Sequence, residues 1–407
     1  MPEPSEESVY RSCLSLSRIS RRAFVQGLGA AVMLPIATRL PAQLAKPART
    51  YKNPLGIDIG DPYVLKAPDG RYYIYGSGGG GPFGSGSDPS TAFPAFTSRN
   101  LVDWTPVGQP YSRNPATSWC VGDFWAPEVY CVKERFYIFY SAQWRNNPTN
   151  EKENFRIGVA VSDKPTGPFR DIRNAPLFDP GYPAIDADVL FDDDGRVYLY
   201  YSRCCYKHPV ESELAEKMKK SGVYSEIEES WVYGVELKPD FSGIIGEPVV
   251  LIRPPVTLAD PNSEWEDVSV ETHEAGRRWT EGPCSLKRYG TYFIMYSANT
   301  VVGENYALGY ATAKSPLGPF NKASNNPIVR KNTDRGGVVS CTAHNCVAMS
   351  PDDSEMFCLY GARTKGEKSF RRVLFLNRME VQKDGTIVVY PPDTITANPM
   401  PSGSDAV

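Results

Sequence analysis

Five segments of this chain repeat one short pattern of aromatic and β-branched residues, and this repetition constrains the fold more than any other feature. They are DGRYYIYGS (69–77), KERFYIFYS (133–141), DGRVYLYYS (194–202), YGTYFIMYS (289–297) and DSEMFCLYG (353–361). A short apolar segment with one ionisable residue precedes each: Asp61, Glu128, Asp186, Glu281 and His344. These stand 11, 8, 11, 11 and 12 positions before Tyr72, Phe136, Val197, Tyr292 and Met356. A structural repeat that brings one ionisable group per copy to a common axis would build an active site.

A second strand-like run follows each aromatic segment, as in RIGVAVSDKPTGPF (156–169) and YALGYATAKSPLGPF (306–320). The reference residues are spaced by 64, 61, 95 and 64 positions. That period exceeds helical and leucine-rich repeats and is somewhat longer than common propeller blades. Four short strands with their turns fill it. Alternating β-branched and aromatic residues bounded by DG, PDG and GP turns favour strands over helices. The expected architecture is all-β: a five-bladed β-propeller with four antiparallel strands per blade, spanning 50–395 and followed by a tail at 396–407. One long β-sandwich is the alternative.

Composition is consistent with this. The chain carries 24 Tyr, 17 Phe and 7 Trp, with 36 Pro and 34 Gly to supply tight turns. A net charge of −3 without a basic cluster argues against a nucleic-acid partner, since phosphate binding needs grouped Lys and Arg. No stretch after the N-terminal segment is apolar enough to span a membrane. Residues 1–45 read as a targeting segment. Ser20-Arg21-Arg22-Ala23-Phe24 precedes the apolar run GLGAAVMLPIA. The pair of arginines resembles a bacterial twin-arginine export signal, with cleavage expected near Ala42 or Ala45 and a periplasmic or extracellular destination. A short membrane anchor is the competing reading. The sequence assigns no oligomeric state.

Of nine cysteines, Cys13 lies in the targeting segment, and no Cys-x-x-Cys pair suggests a metal site. Cys131, Cys284, Cys346 and Cys358 fall in strand patterns and read as small core residues. The long third interval carries extra material at 203–230 and 253–279. ESELAEKMKK (211–220) reads as a short exposed helix, and 255–279 as a polar loop. Such insertions either shape a pocket on the rim or merely decorate the surface.

Asp61, Asp186 and Glu281 lie among apolar or small residues. A carboxylate there costs several kcal/mol unless it is paired or hydrogen-bonded. Each alone could cap a turn. Their shared place in the repeat favours a catalytic role: two carboxyls in one pocket with a third to tune them suit glycoside hydrolysis. Trp119, Phe124, Trp125 and Trp144 flank the second copy, where some could stack on a sugar face and others belong to the core.

The motifs DPYV, FWAPEV, AIDADVLFDDDG, TEGPCSLKRYGTYFIMYSAN and TAHNCV occur in order, one per repeat. Together they resemble glycoside hydrolase family 43, the propeller enzymes of arabinan and xylan breakdown, over residues 55–390. The resemblance implies Asp61 as general base, Glu281 as general acid and Asp186 as the residue that tunes and orients the acid. It implies inversion, with base and acid about 6.5–9.5 Å apart. It also places His344 in a central channel, where it either assists a hydrated calcium ion through water or is a hydrogen-bonded core histidine. No cofactor is required for the chemistry.

Two motifs depart from the family pattern. Glu128 stands where an aspartate is usual, and its longer side chain could reach toward the substrate. Asp188 is a second candidate for the tuning role, because simple alternation puts 186 and 188 on one face; the DDDG alignment favours Asp186. Arg363 either donates to sugar hydroxyls or is a loop arginine. The expected activity is exo-acting α-L-arabinofuranosidase, with β-xylosidase or galactofuranosidase as alternatives. A non-catalytic glycan-binding propeller would lack a carboxylate. A covalent fructan-type mechanism would show an Asn-Asp-Pro start and a Glu-Cys pair.

Overall fold

The computed structural model describes residues 49–78, 91–148, 150, 152–390 and 397–404, so the twin-arginine segment lies outside the described residues. Strands are the dominant regular structure of the described chain. Five antiparallel runs of four strands follow one another along it. Their first strands are Tyr63–Lys66, Cys120–Val132, Ala184–Phe191, Arg277–Arg288 and Val339–Met349. Each aromatic repeat supplies the second strand: Tyr72–Tyr75, Arg135–Trp144, Val197–Arg203, Thr291–Ala298 and Met356–Thr364. The third and fourth sheets are further joined by a short parallel pairing of 228–230 with 277–279.

The second strands are buried on both faces, which explains their unbroken aromatic character. Tyr75, Tyr140, Tyr200, Tyr296 and Tyr360 are inaccessible to solvent. Five apolar clusters fill the spaces between consecutive sheets. Phe93 and Tyr111 meet Phe124 and Ile138 between the first and second sheets. Phe139 and Val159 meet Leu199 and Val235 between the second and third. Tyr200 and Leu251 meet Ile294 and Tyr296 between the third and fourth. Met295 and Leu308 meet Cys358 and Phe375 between the fourth and fifth. The last cluster joins Phe357 and Leu374 of the fifth sheet back to Ile59 and Ile74 of the first. The first strands touch in the same cyclic order. Near the same junction, Thr50–Tyr51 pairs with Asn398–Pro399, so the segment expected as a tail is hydrogen-bonded to the start of the fold.

A backbone irregularity recurs in every sheet. Asp61, Ala126, Asp186, Gly282 and His344 all have φ between 43° and 59°, the left-handed region. In the last four sheets this residue lies within a register shift of the first strand. A bulge of this kind re-aims side chains at the cost of local strain. Each of those four residues is held by the preceding sheet. The N–H groups of Ala126, Asp186, Gly282 and His344 donate to the hydroxyls of Ser77, Ser141, Ser202 and Ser297, at 2.9, 3.0, 3.0 and 3.1 Å. These four serines, all buried, are the last residues of the first four sequence repeats.

The insertions are more ordered than the sequence suggests. Residues 213–220 form a helix capped by Ser212, whose hydroxyl accepts from the Ala215 N–H at 3.0 Å. One face of it is buried, with Ala215 and Met218 packed on Ile227 and Val270, so the helix is not simply exposed. Residues 255–279 are not a plain polar loop. They include the single-turn helices Ser263–Glu266 and Val268–Glu271, and Trp265 packs near Tyr296. All eight cysteines from Cys120 onward are buried free thiols, including the adjacent Cys204 and Cys205. Among the described residues, no helix is long and apolar enough to cross a membrane.

The serine contacts make a stability prediction. Ser297→Ala leaves the buried His344 N–H without its acceptor, which costs about 1–3 kcal/mol. Thermal unfolding should shift down by a few degrees; an unchanged midpoint would show that the contact carries no stability.

Candidate active site

The left-handed position delivers the ionisable groups to one place. Asp61 and His344 approach directly, with Nδ1 of His344 3.5 Å from Oδ1 of Asp61. Asp186 accepts from the Gly282 N–H at 3.2 Å, next to Glu281, and from the Ser202 hydroxyl at 3.4 Å. Gly282 combines φ of +59° with close packing: a Cβ there would come within 3.0 Å of the His344 ring. Glu281 lies one residue before this point and is 9% exposed.

Asp61 is paired with Arg372, a residue the sequence reading did not single out. Nη1 meets Oδ1 at 2.6 Å and Nη2 meets Oδ2 at 3.0 Å, while the Ser77 hydroxyl donates to Oδ2 at 2.5 Å. The arginine reaches the aspartate by lying against backbone. A Cβ on Gly60 would overlap the guanidinium, and one on Gly361 would sit 3.5 Å from the Arg372 Cβ and 2.9 Å from the Ile59 carbonyl. Arg372 immediately precedes the third strand of the fifth sheet, Val373–Val381, and is about 300 residues from its partner, so no local motif marks it.

The electrostatics of the two ends differ. Burial alone would raise the Asp61 pKa, but the Arg372 charge, His344 and the donated hydrogen bonds outweigh it and hold the group well below the usual carboxylate range. Glu281 has no such cation in contact. Burial raises it, the Tyr306 hydroxyl bonded to Oε1 at 2.8 Å opposes this, and the Asp61 charge adds to the rise. Asp186 is also raised, first by burial and then by Glu281 and Asp61, with His344 opposing. Asp186 and Glu281 therefore titrate as an interacting pair. The cluster holds one carboxylate ionised and favours a proton on the Asp186–Glu281 pair, a division of labour that suits acid/base hydrolysis.

The other expected site residues are distributed unevenly. Trp125 is half-buried on a rim cluster beside Phe155, Ile185 and Cys204, with its ring 4.0 Å from Phe155. Trp144 is half-buried and has the Arg156 guanidinium 5.0 Å from its ring centre. Trp119 and Phe124 belong to the core. Arg363 donates to the carbonyls of Val302, at 3.1 Å, and Gly303, so it ties down the turn before Ala307–Ala313.

The structure corrects the reading of Glu128 as reaching toward substrate. It is 5% exposed and accepts from the Tyr130 hydroxyl, and burial, then the charges of Asp188 and Asp186, raise its pKa against that hydrogen bond. The bulges explain this. The Ala126 bulge puts Glu128 two positions past the left-handed residue. The Asp186 bulge likewise sets Asp188 apart, where it accepts from the Ser285 N–H at 3.2 Å. Alternation alone missed this step. Asp188 is pushed up to about 7 by burial, with the Ser285 hydrogen bonds opposing, and Glu281 is not among the groups acting on it.

The donor set does not fit a directly coordinated calcium ion, which takes six to eight oxygens. Among the described residues, no group of three or more His, Cys, Asp or Glu is arranged to hold a metal. His344 faces the Asp61 carboxylate.

Comparison with known proteins agrees with this chemistry. The model of "Glycosyl hydrolases family 43" matches residues 51–387. A beta-D-galactofuranosidase of Aspergillus niger is 26% identical over 78% of both chains. An extracellular exo-alpha-(1->5)-L-arabinofuranosidase of Streptomyces chartreusis is 25% identical over 84% of this chain and 92% of its own. The crystal structure of a thermostable family-43 glycoside hydrolase superposes with a TM-score of 0.70 at 34% identity, covering 87% of this chain and all of that one. With the carboxyl cluster, the all-β fold and a family match over most of its length, the chain belongs to glycosyl hydrolase family 43.

Proposed function

We propose that this protein is an inverting glycoside hydrolase that releases arabinofuranosyl or related pentosyl units from the ends of plant-type polysaccharides or oligosaccharides. The observation that carries the reading is the opposed electrostatics of Asp61 and Glu281: a bidentate arginine on one, burial without a paired cation on the other. The exo-acting arabinofuranosidase assignment draws support from the Streptomyces relative, and galactofuranosidase activity is the reading favoured by the Aspergillus one. The proposed architecture is a closed five-bladed β-propeller. It is supported by the cyclic order of the first strands and by the apolar cluster between the last and first sheets. Export by the twin-arginine route, to the periplasm or the exterior, rests on Ser20–Phe24 alone.

In this mechanism Asp61 accepts the proton of the attacking water. Three short hydrogen bonds occupy most of its roughly four lone-pair positions, leaving one on Oδ1. A weak base suffices, because water becomes strongly acidic as it bonds to the oxocarbenium-like carbon. Glu281 gives its proton to the leaving oxygen. Asp186 and Glu281, both raised by burial, each disfavour ionisation of the other, and Asp186 holds the adjacent Gly282 amide.

A panel of p-nitrophenyl pentosides and furanosides tests the sugar assignment, and proton NMR of the first-formed sugar should show the inverted anomer; retention would sink the mechanism. Glu281→Gln should abolish turnover of substrates with poor leaving groups and partly spare those with good ones.

The pH profile of kcat/KM should be bell-shaped. Asp186→Asn removes a repelling charge, lowers the Glu281 pKa and moves the basic limb to lower pH. Asp188→Asn should leave that limb in place, since Asp188 faces Glu128. The opposite pattern would reverse the assignment of the two aspartates.

Arg372→Lys keeps a charge but loses the two-point contact. The Asp61 pKa then rises, so the base is protonated at higher pH and the acidic limb of kcat/KM moves up. A fixed acidic limb would remove Arg372 from the control of the base.

A further inference from the structure

The least explained group in the cluster is the phenol of Tyr306. It is 3% exposed and precedes Ala307–Ala313 in the fourth sheet. Its hydroxyl donates to Oε1 of Glu281 at 2.8 Å, and its surroundings include the charges of Asp61 and Asp186. Burial, and then the three carboxylates, raise the phenol far above its ordinary value, so it remains a donor at every working pH. Its position is fixed from two sides. The ring packs in the cluster with Leu308, Val339 and Cys341, and the Tyr306 carbonyl accepts from the Thr342 N–H at 3.1 Å and the Thr342 hydroxyl at 3.2 Å.

We propose that Tyr306 is a positioning residue for the acid: its hydroxyl makes Oε1 of Glu281 the acceptor oxygen, so the transferable proton resides on Oε2. This rests on the reading of Glu281 as general acid. A carboxylic acid has one carbonyl oxygen and one hydroxyl. With the phenol donating to Oε1, the tautomer carrying its proton on Oε2 is selected and the carboxyl plane is fixed. When the proton passes to the leaving oxygen, Glu281 becomes a carboxylate. The same hydrogen bond then becomes charge-assisted and roughly twice as strong. The contact therefore stabilises the state after transfer more than the state before it, which lowers the barrier instead of only binding substrate.

Tyr306→Phe keeps the ring and removes only the hydroxyl. On substrates with poor leaving groups, kcat should fall about 10- to 100-fold, the effect expected from one hydrogen bond to a charged group, with KM little changed. Substrates with good leaving groups should be nearly unaffected. Loss of the donor raises the Glu281 pKa, so the basic limb should move to higher pH by roughly one unit. Equal loss on both substrate types with a fixed basic limb would reduce Tyr306 to packing and overturn the proposal, as would no change at all.

Glu281→Gln and the double variant separate the two levels. If Glu281→Gln is equally damaging on both leaving-group types, the acid assignment itself fails and this proposal falls with it. If that assignment holds, Tyr306→Phe should add little in the Glu281→Gln background, because residues acting as a unit are non-additive. A full, independent loss in the double variant would place the action of Tyr306 elsewhere.

Discussion

Four buried serine hydroxyls hold the site together. Each closes one of the aromatic sequence repeats and accepts the N–H of a left-handed residue in the next sheet. A left-handed non-glycine residue is strained by about 1–2 kcal/mol, and its amide cannot join the regular ladder. Without an acceptor, each bulge would also bury an unpaired donor. The hydroxyl removes that second cost. It also fixes the bulge relative to the neighbouring sheet, so the aim of Asp186 is set by Ser141 of another sheet and not by its own strand alone. Active-site geometry and the packing between sheets are thus the same problem.

The fifth repeat ends in Gly361 where the others end in serine, and this is where the chemistry differs. That glycine lets the Ile59 carbonyl come close, since a Cβ there would sit 2.9 Å from it, and Gly60 leaves the room that the Arg372 guanidinium takes beside Asp61. Asp61 and Asp186 are the same residue type at equivalent left-handed positions. One meets a buried guanidinium and is held ionised; the other faces His344 and two carboxyls, and its pKa rises. The difference between the two aspartates lies in what the neighbouring sheet contributes, because their backbone conformations are similar.

Much of this was legible in the chain. The aromatic repeats located every second strand, and Asp61, Asp186, Glu281 and His344 came out of their shared offsets. Glu128 had the shortest offset, 8 instead of 11 or 12, and it is the member that the structure places elsewhere. Ala126, at an offset of 10, is the residue at its bulge, but an alanine carries no chemical signal. Arg372 and Tyr306 were invisible for different reasons. The arginine acts across the junction of the last and first sheets, and no spacing rule connects residues 61 and 372. The tyrosine is one of 24, among many that serve only the core. The insertion was misjudged because its buried members, Glu229, Asp267 and Arg278, are residue types normally read as solvent-facing.

That insertion network explains why an enzyme would keep charges where apolar residues could pack. Arg278 is inaccessible to solvent and bonds Glu229 and Asp267, each at 2.7 Å, as well as the Pro255 carbonyl. Glu229 in turn accepts from the Trp231 indole at 2.6 Å. Buried ion pairs are weak sources of stability, since desolvation offsets most of the Coulomb gain. What they impose is direction. Arg278 lies three residues before Glu281 on one strand, and Glu229 lies on the strand that pairs with it in parallel. Two carboxylates on separate elements converge on one planar guanidinium, and each contact demands its own geometry. An apolar substitute would fill the volume yet allow the segment to slide along its partner. Glu281 is therefore approached from both ends by oriented contacts: ion pairs before it, and the Asp186–Gly282 hydrogen bond immediately after it.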